Sequence, residues 1–113
     1  MHQDDCIFCK ISKGEIPSTK IYEDEDVLAF RDIHPKAPIH FLIIPKKHIQ
    51  SLAHAEPEDS ALWGKMLSLT RQLAIQEGAL NGFRVIINTG SDGGQEVDHL
   101  HIHVLGGPQP WHK

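Results

Sequence analysis

The last part of the chain contains a strict alternation of histidine and apolar residues, in the stretch DHLHIHVLGG at residues 98–107. A period of two predicts a β-strand, because successive side chains of a strand point to opposite faces of the sheet. His99, His101 and His103 would then share one face at a spacing of about 7 Å per step, and the apolar residues between them would pack on the core. Packing gives no reason for a row of imidazoles. The alternation therefore indicates a chemical role, either metal ligation or nucleophilic and acid–base catalysis.

The remaining segments predict a single α+β domain over residues 1–113, with an antiparallel sheet of about five strands. The segment between Pro57 and Gly78 is a helix with one apolar stripe, and IHFLIIP at residues 39–45 suits a central strand buried on both faces. A shorter helix at 8–13 precedes the first strand. The other predicted strands are at 20–23, 27–32 and 83–88 and in the histidine segment.

Composition and charge exclude several classes of partner. The formal net charge is −4 and the basic residues are dispersed, which argues against a nucleic-acid partner. The longest apolar runs are too short to span a membrane, and the N-terminus lacks the basic and apolar regions of a secretory signal. We therefore expect a cytoplasmic protein whose two cysteines are thiols or metal ligands rather than a disulfide.

Four segments in the same order resemble the histidine triad (HIT) superfamily. They are HLHIHVLGG preceded by NTGSDGGQEVD, IFCKISKGEIPS, LAFRDIHPKAPIHFLIIPKKHI and FRVIINTGSDGGQEV. Within the superfamily they are most similar to the Hint branch of bacterial-type nucleotide-binding proteins. The resemblance implies a HIT-like fold and a homodimer whose two sheets join into one sheet of ten strands.

The resemblance also implies an activity. Members of the branch cleave purine nucleoside 5′-phosphoramidates, and acyl-adenylates are further candidate substrates. The middle histidine, here His101, attacks the α-phosphorus and carries a nucleotidyl intermediate. His103 would contact phosphate oxygens and His40 would orient the site, although a core role for His40 is equally consistent with its spacing. No organic cofactor is implied. Two alternatives stay open, a dinucleoside polyphosphate hydrolase of the Fhit type and a nucleotide-sensing, zinc-stabilised module without turnover.

The resemblance implies a nucleotide site along the same segments. Asp32 would accept hydrogen bonds from the ribose hydroxyls, and the turn Gly93-Gly94-Gln95 would offer backbone N–H groups to phosphate. Glu96 departs from the serine of eukaryotic relatives, and a carboxylate beside a phosphate leaves the leaving-group preference open. Each apolar position can also be ordinary core. The implied nucleotide-binding residues are Ile11, Ile16, Phe30, Asp32, Ile33, Asn88, Gly94, Gln95, Glu96, His101 and His103.

The pair CIFC is a second candidate site. Cys6 and Cys9 precede the first strand, which disfavours a thioredoxin-like motif. Related members with this pair imply His48 and His99 as two further ligands. The four residues would form a closed structural zinc site, and the alternative is a pair of buried, reduced thiols.

Overall fold

The sheet of this computed structural model has five antiparallel strands in the order β1-β2-β3-β5-β4, and the structure describes residues 5–111. Two short 3₁₀ turns, Leu52–His54 and Pro57–Asp59, precede the long helix. The α+β class predicted from the sequence is confirmed. The elements are α1 (Ile7–Ser12), β1 (Lys20–Glu23), β2 (Val27–Arg31), β3 (Ile39–Pro45), α2 (Ser60–Gln76), β4 (Phe83–Ile86) and β5 (Ile102–Gly106).

Strand β3 lies at the centre of the sheet and is covered on both faces, which explains its unbroken apolar sequence. Phe41 and Ile43 belong to the core cluster on one face, and Leu42 and Ile44 belong to the cluster on the other. Alternate residues of one strand thus supply two separate cores.

Helix α2 covers the first of these faces. Met66, Leu69 and Leu73 are buried against β2, β3 and β5, as the helical period of the sequence predicts. The chain leaves the helix through Gly78, whose φ of +107° is a conformation that favours glycine. Neither helix of the described residues is long and apolar enough to cross a membrane.

Helix α1 covers the second face, and this face carries the histidines. Phe8 and Cys9 of α1 pack with Phe30 of β2 and with Leu42 of β3. The rings of His99 and His101 contact Phe8 edge-on, with centroids 5.9 and 5.1 Å apart. The histidine side chains therefore face α1, while Ile102 and Val104 face α2.

Three predicted strand boundaries are wrong. The last strand begins only at Ile102, so that His99 and His101 lie in the extended segment before it. Strand β2 ends at Arg31 because the Asp32 carboxylate accepts a hydrogen bond from the His34 N–H and turns the chain. Strand β4 ends at Ile86, the last residue that pairs with β5, rather than at residue 88.

Candidate active site

A cavity of about 410 Å³ opens on the α1 side of the sheet. Its walls come from α1, from the segment between α1 and β1, from the loop after β2, and from β5 with the loop before it. Most of the residues predicted to serve catalysis or nucleotide binding meet there. Of those residues, the cavity is lined by Ile11, Ile16, Phe30, Asp32, Ile33, His40, Asn88, Gly94, Glu96, His101 and His103.

The local backbone sets the protonation of the His101 ring. His101 is 5% exposed, and its Nδ1 lies 2.7 Å from the carbonyl oxygen of His99. A carbonyl only accepts, so Nδ1 carries the proton and donates it to this oxygen. In the neutral ring the lone pair is then on Nε2, and His101 therefore presents a nucleophilic nitrogen without needing a separate base.

His103 and His40 form a relay beside His101. The Lys36 N–H donates to His40 Nδ1 at 3.1 Å, so the proton of the neutral His40 ring is on Nε2. This Nε2–H donates to His103 Nδ1 at 3.0 Å. His103 consequently carries its own proton on Nε2 and can donate it to a ligand, with its ring centroid 4.9 Å from that of His101.

Asp32 lies next to these two rings, with its Oδ2 3.4 Å from His40 Nε2. Asp32, His40 and His103 bring three ligand atoms within 4.8 Å of one another, which by distance alone resembles a metal site. The Lys36 N–H argues against that use, since a neutral His40 ring that accepts at Nδ1 has no lone pair to offer at Nε2. The three side chains are better described as a hydrogen-bonded network.

Burial keeps all three rings of the site neutral near pH 7. Burial lowers the pKa of His101 and, despite the opposing charge of Asp32, the pKa of His40. Burial, with the neighbouring His101 and His40 rings, lowers the pKa of His103 to about 4. The direction agrees with the hydrogen bonds, which already assign one proton to each ring.

The structure corrects two predictions about the turn before the histidines. The N–H groups of Gly93, Gly94 and Gln95 donate to carbonyls of Gly90 and Ser91 within the same loop, so they do not form a phosphate nest. The Gln95 side chain does not line the cavity. Its amide accepts from the Gly90 N–H and donates to the Gln50 and Val97 carbonyls, which makes it a brace for the loop.

Several lining residues were not among those predicted. Phe8 is the aromatic partner of His101, and Lys36 supplies the N–H that orients His40. The signal for Phe8 was its place in α1 three residues before Ile11, on the same helix face. Nothing in the sequence indicated Lys36, because its contribution is a backbone group. The further lining residues are Ile7, Pro17, Ser18, Arg31, Leu42, Ile86, Val97 and Leu105.

The predicted metal ligands Cys6, Cys9, His48 and His99 also meet, at the N-terminal end of α1. Their four ligand atoms lie within 4.8 Å of one another. His99 Nδ1 is 3.2 Å from Cys6 Sγ and 3.5 Å from Cys9 Sγ, and His48 Nδ1 is 3.3 Å from Cys9 Sγ. A tetrahedral zinc ion would separate sulfur and nitrogen ligands by about 3.5 Å, given its usual bond lengths. The cluster can therefore hold a metal ion.

The tautomer of His99 fits this use. Its Nε2 lies 2.8 Å from the Pro45 carbonyl and so carries the proton, which leaves the lone pair on Nδ1, the nitrogen next to both sulfurs. Burial raises the pKa of the Cys6 thiol in the absence of a cation. A bound metal would reverse that effect, because coordination requires the thiolate.

Together, the fold and the site define a class of proteins. Its defining feature here is a neutral imidazole, His101, oriented by a backbone carbonyl on the second face of a small antiparallel sheet and beside a cavity. Comparison with known proteins identifies the family: residues 13–109 match the HIT domain, and the chain belongs to the HIT family. This confirms the resemblance of the sequence to the HIT superfamily.

Relatives and solved structures agree over nearly the whole chain. The chain is 53% identical over 105 residues to protein HitA of Neisseria gonorrhoeae, covering 93% of this chain and 98% of that protein. A HIT family hydrolase from Legionella pneumophila superposes with a TM-score of 0.89 at 51% identity, covering 93% and 95% of the two chains. A histidine triad protein from Clostridium difficile superposes with a TM-score of 0.93 at 50% identity, covering 97% and 96%. The Legionella relative, a HIT family hydrolase, supports a hydrolase.

Proposed function

We propose that this protein hydrolyses purine nucleoside 5′-phosphoramidates to the nucleoside monophosphate through a nucleotidyl intermediate on His101. The observation that carries the proposal is the 2.7 Å hydrogen bond from His101 Nδ1 to the His99 carbonyl. It assigns the lone pair to Nε2 in a ring that lines the cavity. Acyl-adenylates, whose leaving group departs from the same phosphorus, are further candidate substrates.

The reaction proceeds in two displacements. The Nε2 lone pair of His101 forms a bond to the α-phosphorus while the phosphorus–nitrogen bond breaks, and the leaving nitrogen takes a proton from water and departs as the amine. Water then attacks the same phosphorus, the bond to Nε2 breaks, and the monophosphate leaves while the proton of the attacking water returns to solvent. The His99 carbonyl stabilises the positive charge that the ring carries in the intermediate, because it accepts the Nδ1–H throughout.

His103 and His40 serve the phosphate without forming covalent bonds. His103 donates its Nε2–H to a phosphate oxygen, and its Nδ1 is held by His40. Because its pKa is lowered, the His103 ring carries only one proton at neutral pH. The hydrogen bond from His40 decides which ring nitrogen holds this proton. His40 is thus a positioning residue and His103 a binding residue.

The nucleoside would lie at the apolar end of the cavity. The apolar walls for a purine are Ile11, Ile16, Phe30 and Ile33. Ile33 is 83% exposed, and a bound base would cover it. Asp32 uses one oxygen for the His34 N–H and retains lone pairs for the ribose hydroxyls. Asn88, Gly94 and Glu96 line the remaining polar wall, where the leaving group would sit.

We propose zinc as the metal of the Cys6, Cys9, His48 and His99 cluster. Two sulfur and two nitrogen ligands favour zinc, and a site with four protein ligands is structural rather than catalytic. The cluster joins α1 to the segment that carries the nucleophile, because His99 supplies a ligand with its side chain and the acceptor for His101 with its carbonyl.

We also propose that two copies pair through β4. This strand lies at the edge of the sheet, where its outer backbone groups can add a strand. Phe83 and Val85 are each 37% exposed on it, and Leu67 and Ile75 expose a further apolar row on α2. Pairing of the two β4 strands would give the ten-stranded sheet that the family resemblance implies.

The decisive experiment compares wild-type protein with His101→Ala on adenosine 5′-phosphoramidate. We expect kcat/KM to fall by about 10³-fold or more, as for loss of a covalent nucleophile, while AMP still binds. His54→Ala is the matched control, because His54 is exposed on a 3₁₀ turn and does not line the cavity. Rapid quenching without acid, followed by mass measurement of peptides, should place the adduct on His101.

Four results would contradict the proposal. Wild-type turnover by His101→Ala, or an adduct on another residue, removes the assigned nucleophile. Faster cleavage of diadenosine polyphosphates than of phosphoramidates favours a hydrolase of the Fhit type. Tight AMP binding without turnover of any nucleotide conjugate favours a sensing module.

A further inference from the structure

Among the described residues, Ser18 Oγ is the one fully buried side-chain nitrogen or oxygen that has no hydrogen-bond partner. Burying a hydroxyl without a partner destabilises the folded protein, since the hydrogen bonds to water are lost and not replaced. The oxygen is closed to water in the ligand-free structure, but no hydrogen bond holds its rotamer, so a rotation about the Cα–Cβ bond can turn the hydroxyl toward a ligand in the cavity. Ser18 lines the cavity described above, together with its neighbours Ile16 and Pro17.

The strand register places Ser18 at the nucleoside end. Lys20 pairs with Phe30, and the Arg31 N–H donates to the Thr19 carbonyl at 3.0 Å. Continuing this antiparallel register by two residues sets Ser18 opposite Asp32. Directly opposite residues share a face of the sheet, and this face is the one that carries Phe30 and the cavity.

The walls proposed for the base are largely apolar. Ile11, Ile16 and Phe30 are apolar, and Asp32 is assigned to the ribose by the proposed function. An apolar slot holds a flat base by its faces, and a single polar atom is needed to select which edge points inward. A serine hydroxyl donates one hydrogen bond and accepts two, so it can meet both the ring nitrogens and the substituents of a purine.

We propose that the Ser18 hydroxyl hydrogen-bonds the polar edge of the purine base and thereby orients the nucleoside in the cavity. This assignment rests on the proposed nucleotide substrate and adds a specificity-determining residue to it. Ser18 touches the base only, so it leaves the chemistry at His101 unchanged. Its loss should appear in nucleotide binding before it appears in the rate of the covalent step.

The first test is the stability of the nucleotide-free protein. Ser18→Ala removes a buried hydroxyl that has no partner, so its urea midpoint should equal or exceed that of the wild type. Ser68→Ala is the matched control, because Ser68 is exposed on α2 away from the cavity. A midpoint for Ser18→Ala clearly below that of the wild type would show that the hydroxyl has a structural partner, and it would overturn the proposal.

The second test separates the base from the ribose by calorimetry. Ser18→Ala should weaken AMP about three- to tenfold, as expected for one hydrogen bond. It should leave unchanged the affinity for methyl β-ribofuranoside 5-phosphate, which keeps the diol and phosphate but lacks the base. An unchanged AMP affinity, or an equal loss for both ligands, overturns the assignment to the base. A wild-type protein that binds neither ligand overturns the proposed function itself, which is a different result.

Discussion

Replacement of His40 by alanine should slow hydrolysis while leaving the protein folded. His40 is 6% exposed and lies behind His103, to which it donates through Nε2 at 3.0 Å. Without it, the proton of the His103 ring is no longer confined to Nε2, and part of the population would present a lone pair to the phosphate instead of an N–H. The variant thus tests whether tautomer control by a neighbouring ring contributes to catalysis.

The expected magnitudes come from the contacts that are lost. His40→Ala removes two hydrogen bonds, one from the Lys36 N–H and one to His103, and leaves a small cavity. At about 1 kcal/mol for each bond plus the cavity, the free energy of unfolding should fall by about 2–4 kcal/mol. Loss of one oriented donor in the transition state, worth about 1.4–2.7 kcal/mol, corresponds to about a 10- to 100-fold fall in kcat.

The assay measures steady-state constants on adenosine 5′-phosphoramidate and urea denaturation for the same samples. His40→Gln should recover part of the rate, because its amide can donate to His103 Nδ1. KM should change less than kcat, since the base and ribose walls are untouched. A folded His40→Ala protein with wild-type kcat, or a glutamine variant no faster than the alanine variant, would refute the reasoning.

Three further predictions concern the metal, acid and assembly. The Cys9→Ser variant should contain no bound zinc in metal analysis, and its free energy of unfolding should be lower by about 2 kcal/mol or more. Equal stability of the wild-type protein with and without a chelator would contradict a structural metal. Burial holds the pKa of His103 near 4, so the unfolded chain binds more protons than the folded one between about pH 6.5 and 4. The free energy of unfolding should therefore be at its full value above this window and fall as the pH falls through it. His103→Gln should flatten this slope in urea titrations, and an unchanged slope would contradict it. Val85→Lys should halve the mass measured by light scattering, whereas a monomeric wild type would exclude pairing through β4.

Much of this architecture was predictable because local sequence patterns follow from backbone geometry. The period of two in the histidine segment placed its imidazoles on one side and Ile102 and Val104 on the other, and both placements are confirmed. The helical stripe of Met66, Leu69 and Leu73 likewise matched a buried face. These patterns are reliable because each depends on only a few consecutive residues.

The loop before the histidines shows where such reasoning fails. Its glycines suggested backbone N–H groups open to phosphate, but the turn uses those groups itself. Gln95 was assigned to the nucleotide and instead braces the loop through its amide. Which partner an N–H or an amide chooses depends on the three-dimensional path of the chain, and composition does not report it.

The sequence by itself determined the class of fold, the family and most of the residues that meet at two sites, because alternation, helical period and ordered motifs are local properties of the chain. Tertiary structure alone decided the protonation of each imidazole. The His99 and Pro45 carbonyls and the Lys36 N–H reach their rings only after folding. A ring nitrogen becomes donor or nucleophile according to the atom that faces the other nitrogen. For His99, His101 and His40 that atom belongs to the backbone, whose position the side-chain pattern does not encode.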